Sequence, residues 1–351
     1  MRVPSIDVYV SYRCDLRCTH CFLGEHLSTN ITFSMQDLTS LVDTCPEWGT
    51  GEITLLGGEP TLYPNIVQLT TYIQRRGLHA RLVTNGQRGF TRYMDEFDGA
   101  QPPTVYFSVD GSCPEVHDKI RGKGTFTRLV ANIERSRKLG YKGFGIMSVN
   151  RQNAHDAMAT LRLCDELGLE HVNVHYITNR GFATVESLLP FREWQRLRES
   201  IEESSADLRL AVRADHSLAP HREYTGYCSV RRQDNLMFYP DGRVFICAQF
   251  FDVPGAHAFE WRNGQLTPNP AAITESTICE SSTAQICPAI SYVNPDLIAE
   301  AAGLGCTVGC IYEKVDVRHG ATMIDSACGA AHPSLAGQHA APAFRILGGA
   351  V

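Results

Sequence analysis

Three cysteines fall within one short stretch near the start of the chain, Cys14, Cys18 and Cys21, in the spacing C-x3-C-x2-C. Thiolates this close together are metal ligands. Held on one loop, they can bind three irons of a cubane cluster. Clusters that only carry electrons normally have four cysteine ligands, so a missing fourth leaves one iron open to a small ligand. Zinc is the alternative, with His20 or His26 completing a four-coordinate site.

Other residues able to do chemistry sit where later strands should end. Gly57-Gly58-Glu59-Pro60 offers two glycines that let a backbone approach a ligand closely, and a carboxylate able to accept from an ammonium group. Thr84 and Asn85 are expected to line the same cavity. Ser108 and Asp110 follow on the next strand, with His117, Asp118 and Arg121 just beyond. Read alone, Asp110-Gly111 is also a turn, and Asp118 with Arg121 a surface ion pair. His175 and Tyr176 are candidate substrate contacts, with packing or capping as the other reading. Cys45 and Cys164 fall in or beside helical patterns and read as small buried hydrophobes. Cys113 follows Asp110-Gly111, near the expected cavity mouth. Seven further cysteines lie towards the C-terminus: Cys228, Cys247, Cys279, Cys287, Cys306, Cys310 and Cys328.

Elements that could position these residues are legible in the hydrophobic pattern. Apolar or β-branched runs predict strands at 7–11, 52–56, 80–84, 104–110, 143–149 and 171–177. Helical patterns occupy 35–44, 65–76, 91–97, 125–139 and 154–167, with Gly77, Gly140 and Gly168 placed as C-terminal caps. Alternation of this kind predicts an α/β fold with a parallel sheet covered by helices. Six strands are too few for a closed eight-stranded barrel, so an open partial (β/α)6 barrel is expected, with ligands at the C-terminal strand ends. Past a polar helix at 191–204 the periodicity fades. A hairpin is expected over 238–247 around Pro240-Asp241-Gly242, then a short helix at 295–302 among the cysteines. The predicted division is a barrel over 1–205, a cysteine-rich domain over 206–335 that depends on metal for its fold, and a tail over 336–351.

Composition narrows the function. With 351 residues, 43% hydrophobic and 20% charged, the chain has the make-up of a globular enzyme. A net charge of −6 with no long basic run argues against a nucleic-acid substrate. No apolar run approaches a membrane span, and no secretory or lipidation signal is read, so a cytoplasmic protein is expected. Thirteen cysteines, an odd number, fit metal ligation better than a disulfide framework.

The pairing of Cys14-x3-Cys18-x2-Cys21 with Gly57-Gly58-Glu59-Pro60 one βα unit later closely resembles the radical S-adenosylmethionine (SAM) superfamily. Ser108-Val109-Asp110-Gly111 and His117-Asp118-Lys119-Ile120-Arg121-Gly122 resemble the subgroup of sulfatase-maturing and peptide-modifying radical enzymes. Cys228-x13-Gly242-x4-Cys247 and Cys306-x2-Gly309-Cys310 resemble the auxiliary-cluster domain called SPASM or twitch, although Cys279-x7-Cys287-x18-Cys306 is stretched relative to that pattern. The resemblance implies a [4Fe-4S] cluster on Cys14, Cys18 and Cys21 whose open iron binds SAM. It implies SAM contacts from Gly57, Gly58, Glu59, Pro60, Thr84, Asn85, Ser108, Asp110 and Arg121. It also implies one or two auxiliary [4Fe-4S] clusters. Taken by order, Cys279, Cys287, Cys306 and Cys328 hold one and Cys228, Cys247 and Cys310 the other; the alternative is a single cluster on Cys228, Cys247, Cys306 and Cys310. Cys113 is the candidate hydrogen-atom donor, a role a cysteine plays in some radical epimerases, with an ordinary loop residue as the other reading. The implied reaction begins with reductive SAM cleavage, fed by an external donor such as flavodoxin or ferredoxin. No leader-binding module precedes residue 14, which tilts the expected substrate towards a sugar-, nucleoside- or amino-acid-like natural-product precursor. Modification of a ribosomal peptide or protein is the alternative. An iron–sulfur electron carrier is the reading from another class.

Overall fold

The fold is known from a computed structural model that describes residues 2–99, 101–216, 219–220, 235–251, 253–270, 306–307 and 313–316. Cys228, Cys279, Cys287, Cys310 and Cys328, the expected helix at 295–302 and the tail lie outside the described residues. Among the described residues, no helix is long and apolar enough to cross a membrane.

Strands β1 (Ser5–Tyr9), β2 (Glu52–Leu56), β3 (His79–Thr84), β4 (Thr104–Ser108), β5 (Gly143–Val149) and β6 (His171–Tyr176) pair in that order, all parallel. The helices between them are α1 (Met35–Thr44), α2 (Ile66–Arg75), α3 (Arg88–Glu96), α4 (Pro114–Arg121), α5 (Thr125–Lys138) and α6 (Ala157–Glu166). Gly77, Gly140 and Gly168 end three of these helices with φ of 75°, 82° and 78°. The expected parallel α/β sheet is present, with short differences at the ends. Residues 154–156 form a 3-10 turn ahead of α6, and α3 begins at Arg88 rather than at 91.

Two features go beyond the expectation. The segment bearing Asp118 and Arg121 is a helix, α4, begun by Pro114 at a position where the missing N–H costs nothing. Its eight residues are too few to announce themselves by periodicity. The sheet also continues past six strands. After α7 (Phe191–Ser204), β7 (Ala211–His216) adds parallel to β6, followed by the short β8 (Ala219–Pro220). At the opposite edge β9 (Asn235–Phe238) pairs parallel to β1, and β10 (Arg243–Phe245), β11 (Phe259–Arg262) and β12 (Gln265–Pro268) extend it antiparallel. The expected hairpin is therefore real, and it is stitched into the barrel sheet. Strand β13 (Cys306–Thr307) pairs with β8, and β14 (Glu313–Asp316) with β7.

An aromatic block joins β1 to that hairpin. Tyr9 stacks on Tyr239 at 4.2 Å between ring centroids, and Tyr239 on Phe251 at 4.4 Å. The Tyr12 hydroxyl donates to Asp241 at 3.0 Å, and the Arg243 guanidinium donates to the same carboxylate at 2.7 Å. Phe251 is fully buried at the centre of this block. Phe251→Ala should lower stability by about 3–5 kcal/mol, read as a lower urea midpoint. An unchanged midpoint would show that the block does not join the hairpin to the sheet.

Candidate active site

At the C-terminal ends of β1–β6 lies a cavity of about 390 Å³. Cys14, Cys18 and Cys21 line it together with Gly57, Gly58, Glu59, Thr84, Asn85, Ser108, Arg121 and His175. Residues separated by over 160 positions in sequence thus meet at one site because parallel strands bring their ends to one rim.

The cysteine loop is held against β2 by backbone. Gly58 N–H donates to Ser11 O at 2.8 Å and Glu59 N–H to Arg13 O at 2.8 Å. A Cβ on Gly57 would lie 2.4 Å from Ser11 O, and one on Gly58 would lie 2.4 Å from Arg13 O. The close approach that these glycines permit is therefore to the cysteine loop itself. Glu59 likewise turns inward. It is 1% exposed, and its carboxylate accepts from Thr61 Oγ1 at 2.6 Å, Thr84 Oγ1 at 2.9 Å and Asn85 N–H at 2.7 Å. It latches the end of β2 to the end of β3. Burial pushes its carboxyl up to about 7, against the pull of those donors. Pro60 starts the 3-10 turn after Glu59 and is buried.

Asp110 is fully buried and outside the cavity wall, which departs from its expected place as a cofactor contact. Its carboxylate accepts from His20 Nε2 at 2.7 Å, Arg121 Nε at 2.6 Å and Ser148 N–H at 2.8 Å. Burial works against its charge, but Arg121 and His20 overcome that and hold the carboxyl well below the usual range. Arg121 then points its Nη1 at Cys18 Sγ, 3.9 Å away. The expected ion pair of Asp118 with Arg121 does not form. Asp118 caps α5 instead, accepting from Gly124 N–H at 2.6 Å and Phe126 N–H at 2.8 Å.

Burial pushes the Cys18 thiol up to about 11 and raises those of Cys14 and Cys21 as well. Bringing them to the thiolate state in this setting takes a cation or metal. N–H donors already face two sulfurs: Leu16 N–H at 3.4 Å and Asn85 Nδ2 at 3.9 Å from Cys14, and Arg121 at Cys18. This donor set fits thiolate-held iron–sulfur, where hydrogen bonds to sulfur tune the cluster. The zinc alternative finds less: His20 Nε2 is committed to Asp110, and His26 packs on Phe251 at 4.7 Å. Among the described residues no three His, Cys, Asp or Glu side chains stand at the spacing of ligands to one ion. Thiolates that bind three different irons of one cubane stand farther apart than that.

His175 and Tyr176 both border the cavity, but the polar end of Tyr176 is committed elsewhere. Its hydroxyl donates to Leu189 O at 2.6 Å and its ring packs on Trp194 at 5.4 Å. Tyr176 thus takes the packing role. Cys113 precedes α4 as its N-terminal cap residue and is not part of the cavity wall. Cys45 and Cys164 are buried, as expected. Cys247 is partly exposed beside a turn whose Ala248 and Gln249 do line the cavity. Sequence reasoning missed these two, and also missed the loop after β6. There Phe182 N–H donates to Cys21 O at 2.9 Å, and a Cβ on Gly181 would lie 2.0 Å from that oxygen. A lone glycine in an irregular loop was the only trace.

Fold and site together define a parallel α/β partial barrel that presents a three-thiol loop to a strand-end cavity, the framework of a metallocofactor enzyme. Residues 8–164 match the model of the Radical SAM superfamily, so this part of the chain is a radical SAM domain. The chain is similar to PqqA peptide cyclase of Ruegeria pomeroyi, 27% identical over 255 residues that cover 70% of this chain and 67% of that protein. It is also similar to AdoMet-dependent heme synthase of Methanosarcina barkeri, 25% identical over 210 residues, 59% of this chain and 60% of that one. Thus the chain spans about 60–67% of the length of these relatives. Among solved structures, Streptococcus suis SuiB bound to its precursor peptide SuiA shares the fold with a TM-score of 0.63 at 15% identity, over 85% of this chain and 66% of that one.

Two predictions follow from the buried carboxylates. Asp110→Asn leaves Arg121 without its counter-charge and disturbs the hydrogen bond to His20, and should cost about 3–5 kcal/mol. Iron content after anaerobic reconstitution should fall with it, and full retention of both would remove Asp110 as the support of the loop. Glu59 keeps its proton to about pH 7 in the folded chain but only to about 4.5 when unfolded, so its ionisation lowers stability as pH rises between those values. Relative to Glu59→Gln, wild type should lose about 3 kcal/mol from pH 4.5 to 8. Parallel pH profiles in thermal denaturation would refute this.

Proposed function

We propose that this chain is a radical SAM enzyme that modifies a ribosomally made peptide. The chemistry rests on one observation: three thiols share a strand-end cavity with Gly57-Gly58-Glu59 and with polar side chains from β3 and β4. When bound, a [4Fe-4S] cluster with SAM on its open iron supplies one-electron cleavage of the sulfonium, giving methionine and a 5′-deoxyadenosyl radical able to take hydrogen from an unactivated carbon. Cys14, Cys18 and Cys21 hold the irons. Arg121 and the Leu16 amide donate to the sulfurs, offsetting their charge. Thr84, Asn85 and Ser108 offer polar contacts to SAM, Glu59 fixes the first two, and Phe22, Leu23, Ile146 and Ile177 keep water from the reacting atoms. His175 faces the substrate.

The peptide reading takes the place of the small natural-product precursor. Its support is the extent of the likeness to PqqA peptide cyclase, 255 residues against the 157 of the radical SAM domain (8 to 164). A cavity of 390 Å³ is also at the small end of ligand sites, and a peptide need bring only one side chain to it. The class of reaction, oxidation, epimerisation or bond formation, follows from the peptide. A SPASM-like region after residue 205 adds one or two auxiliary [4Fe-4S] clusters, with Cys247 among the ligands, and a flavodoxin or ferredoxin supplies the electron.

Reduced, anaerobically reconstituted protein given SAM should release 5′-deoxyadenosine, with Cys18→Ala at background. Equal release from both, or none from either, would leave an iron–sulfur carrier as the better reading. Iron analysis should give about twelve atoms per chain for two auxiliary clusters and about eight for one.

A further inference from the structure

Most polar groups around the cavity are committed within the protein: Glu59 to three residues, Asn85 to Asp15 at 2.8 Å, Arg121 to Asp110. Gln249 differs. It lines the cavity and is 2% exposed, yet neither its Oε1 nor its Nε2 has a hydrogen-bond partner among the described residues. A buried carboxamide in this state is disfavoured, and native proteins keep few of them.

The backbone beneath it is fixed. Gln249 lies in the 3-10 turn Ala248–Phe250, and the next two residues, Phe250 and Phe251, are buried. Arg180, from the loop after β6, donates through Nη2 to Gln249 O at 3.0 Å. Gln249 therefore sits at the seam where that loop meets the turn after β10. Both segments are distinct from those that carry the proposed SAM contacts.

We propose that Gln249 is a substrate-recognition residue whose carboxamide pairs with the N–H and C=O of one residue of an extended peptide. The proposal rests on the peptide reading above. In an extended chain, the N–H and C=O of a single residue leave on the same edge, which is how paired residues in an antiparallel ladder exchange two hydrogen bonds. A primary carboxamide presents one donor and one acceptor side by side, the complement of that edge. Adenine has a comparable edge that glutamine can also read, so SAM is the rival occupant.

The test uses the full-length, anaerobically reconstituted protein with SAM bound and two small probes. N-acetylalanine N-methylamide carries one residue's N–H and C=O; O-acetyl-lactic acid N-methylamide replaces that N–H by oxygen. Saturation-transfer NMR titrations should show wild type binding the first roughly tenfold more tightly than the second. Gln249→Leu should abolish the difference by weakening the first probe. Gln249→Glu, which keeps the volume and an acceptor, should fall between them, with iron content and melting temperature confirming that both variants fold. SAM dissociation constants from equilibrium dialysis should agree between wild type and the variants. Equal affinity of wild type for both probes, no binding of the first, or a preference that survives in Gln249→Leu would overturn the proposal. A SAM affinity that falls in Gln249→Leu would assign the carboxamide to the cofactor instead. Failure of the underlying enzyme reading shows separately, as absence of 5′-deoxyadenosine from wild type.

Discussion

The site depends on a backbone-to-backbone contact that tolerates no side chain. The cysteine loop leaves β1 and is caught at once by the end of β2, through N–H groups of Gly58 and Glu59 on carbonyls of residues 11 and 13. Any Cβ on either glycine would collide with those carbonyls. Three thiols on one loop need a loop that does not yield when they take up metal, because each must be presented from a fixed direction. Hydrogen bonds between two main chains supply that rigidity without side-chain entropy to lose. On the other side of the loop, Gly181 and the Phe182 N–H close on Cys21 O in the same manner.

Charge buried beneath the loop gives a second level of support. Asp110 gathers His20 from the cysteine loop, Arg121 from α4 and the Ser148 amide from β5. An ion group this deep is held in place less by net stability than by the penalty for leaving any one member unpaired. That penalty keeps Arg121 directed at Cys18. Glu59 plays a matching part between β2 and β3, as a carboxyl whose proton affinity is raised by the burial that makes it useful as a latch.

The hairpin at β9–β10 is part of the same sheet as the barrel strands. Parallel pairing of β9 with β1 sets the hairpin beside the strand that launches the cysteine loop. Tyr9, Tyr12, Tyr239 and Phe251 fill the join with stacked rings, and Asp241 fixes the Tyr12 hydroxyl. The turn after β10 is thereby delivered to the cavity, with Cys247 at its start and Gln249 within it.

The sequence by itself determined the alternation of strands and helices, the three-thiol loop and the glycine pair, because each is written in short-range spacing. Period and punctuation survive in a single chain without tertiary context, and so the parallel sheet and the strand-end location of the site were legible. What a side chain faces was not. Only the tertiary structure decided that Gly57, Gly58 and Glu59 serve the loop and β3, that Asp110 is a buried hub off the cavity wall, and that the Tyr176 hydroxyl is spent on Leu189 O. It also placed Cys113 off the wall and brought Arg180 and Gln249 to it. Those outcomes depend on which strand ends become neighbours when a curved sheet brings distant segments together, and no local pattern of residues records that.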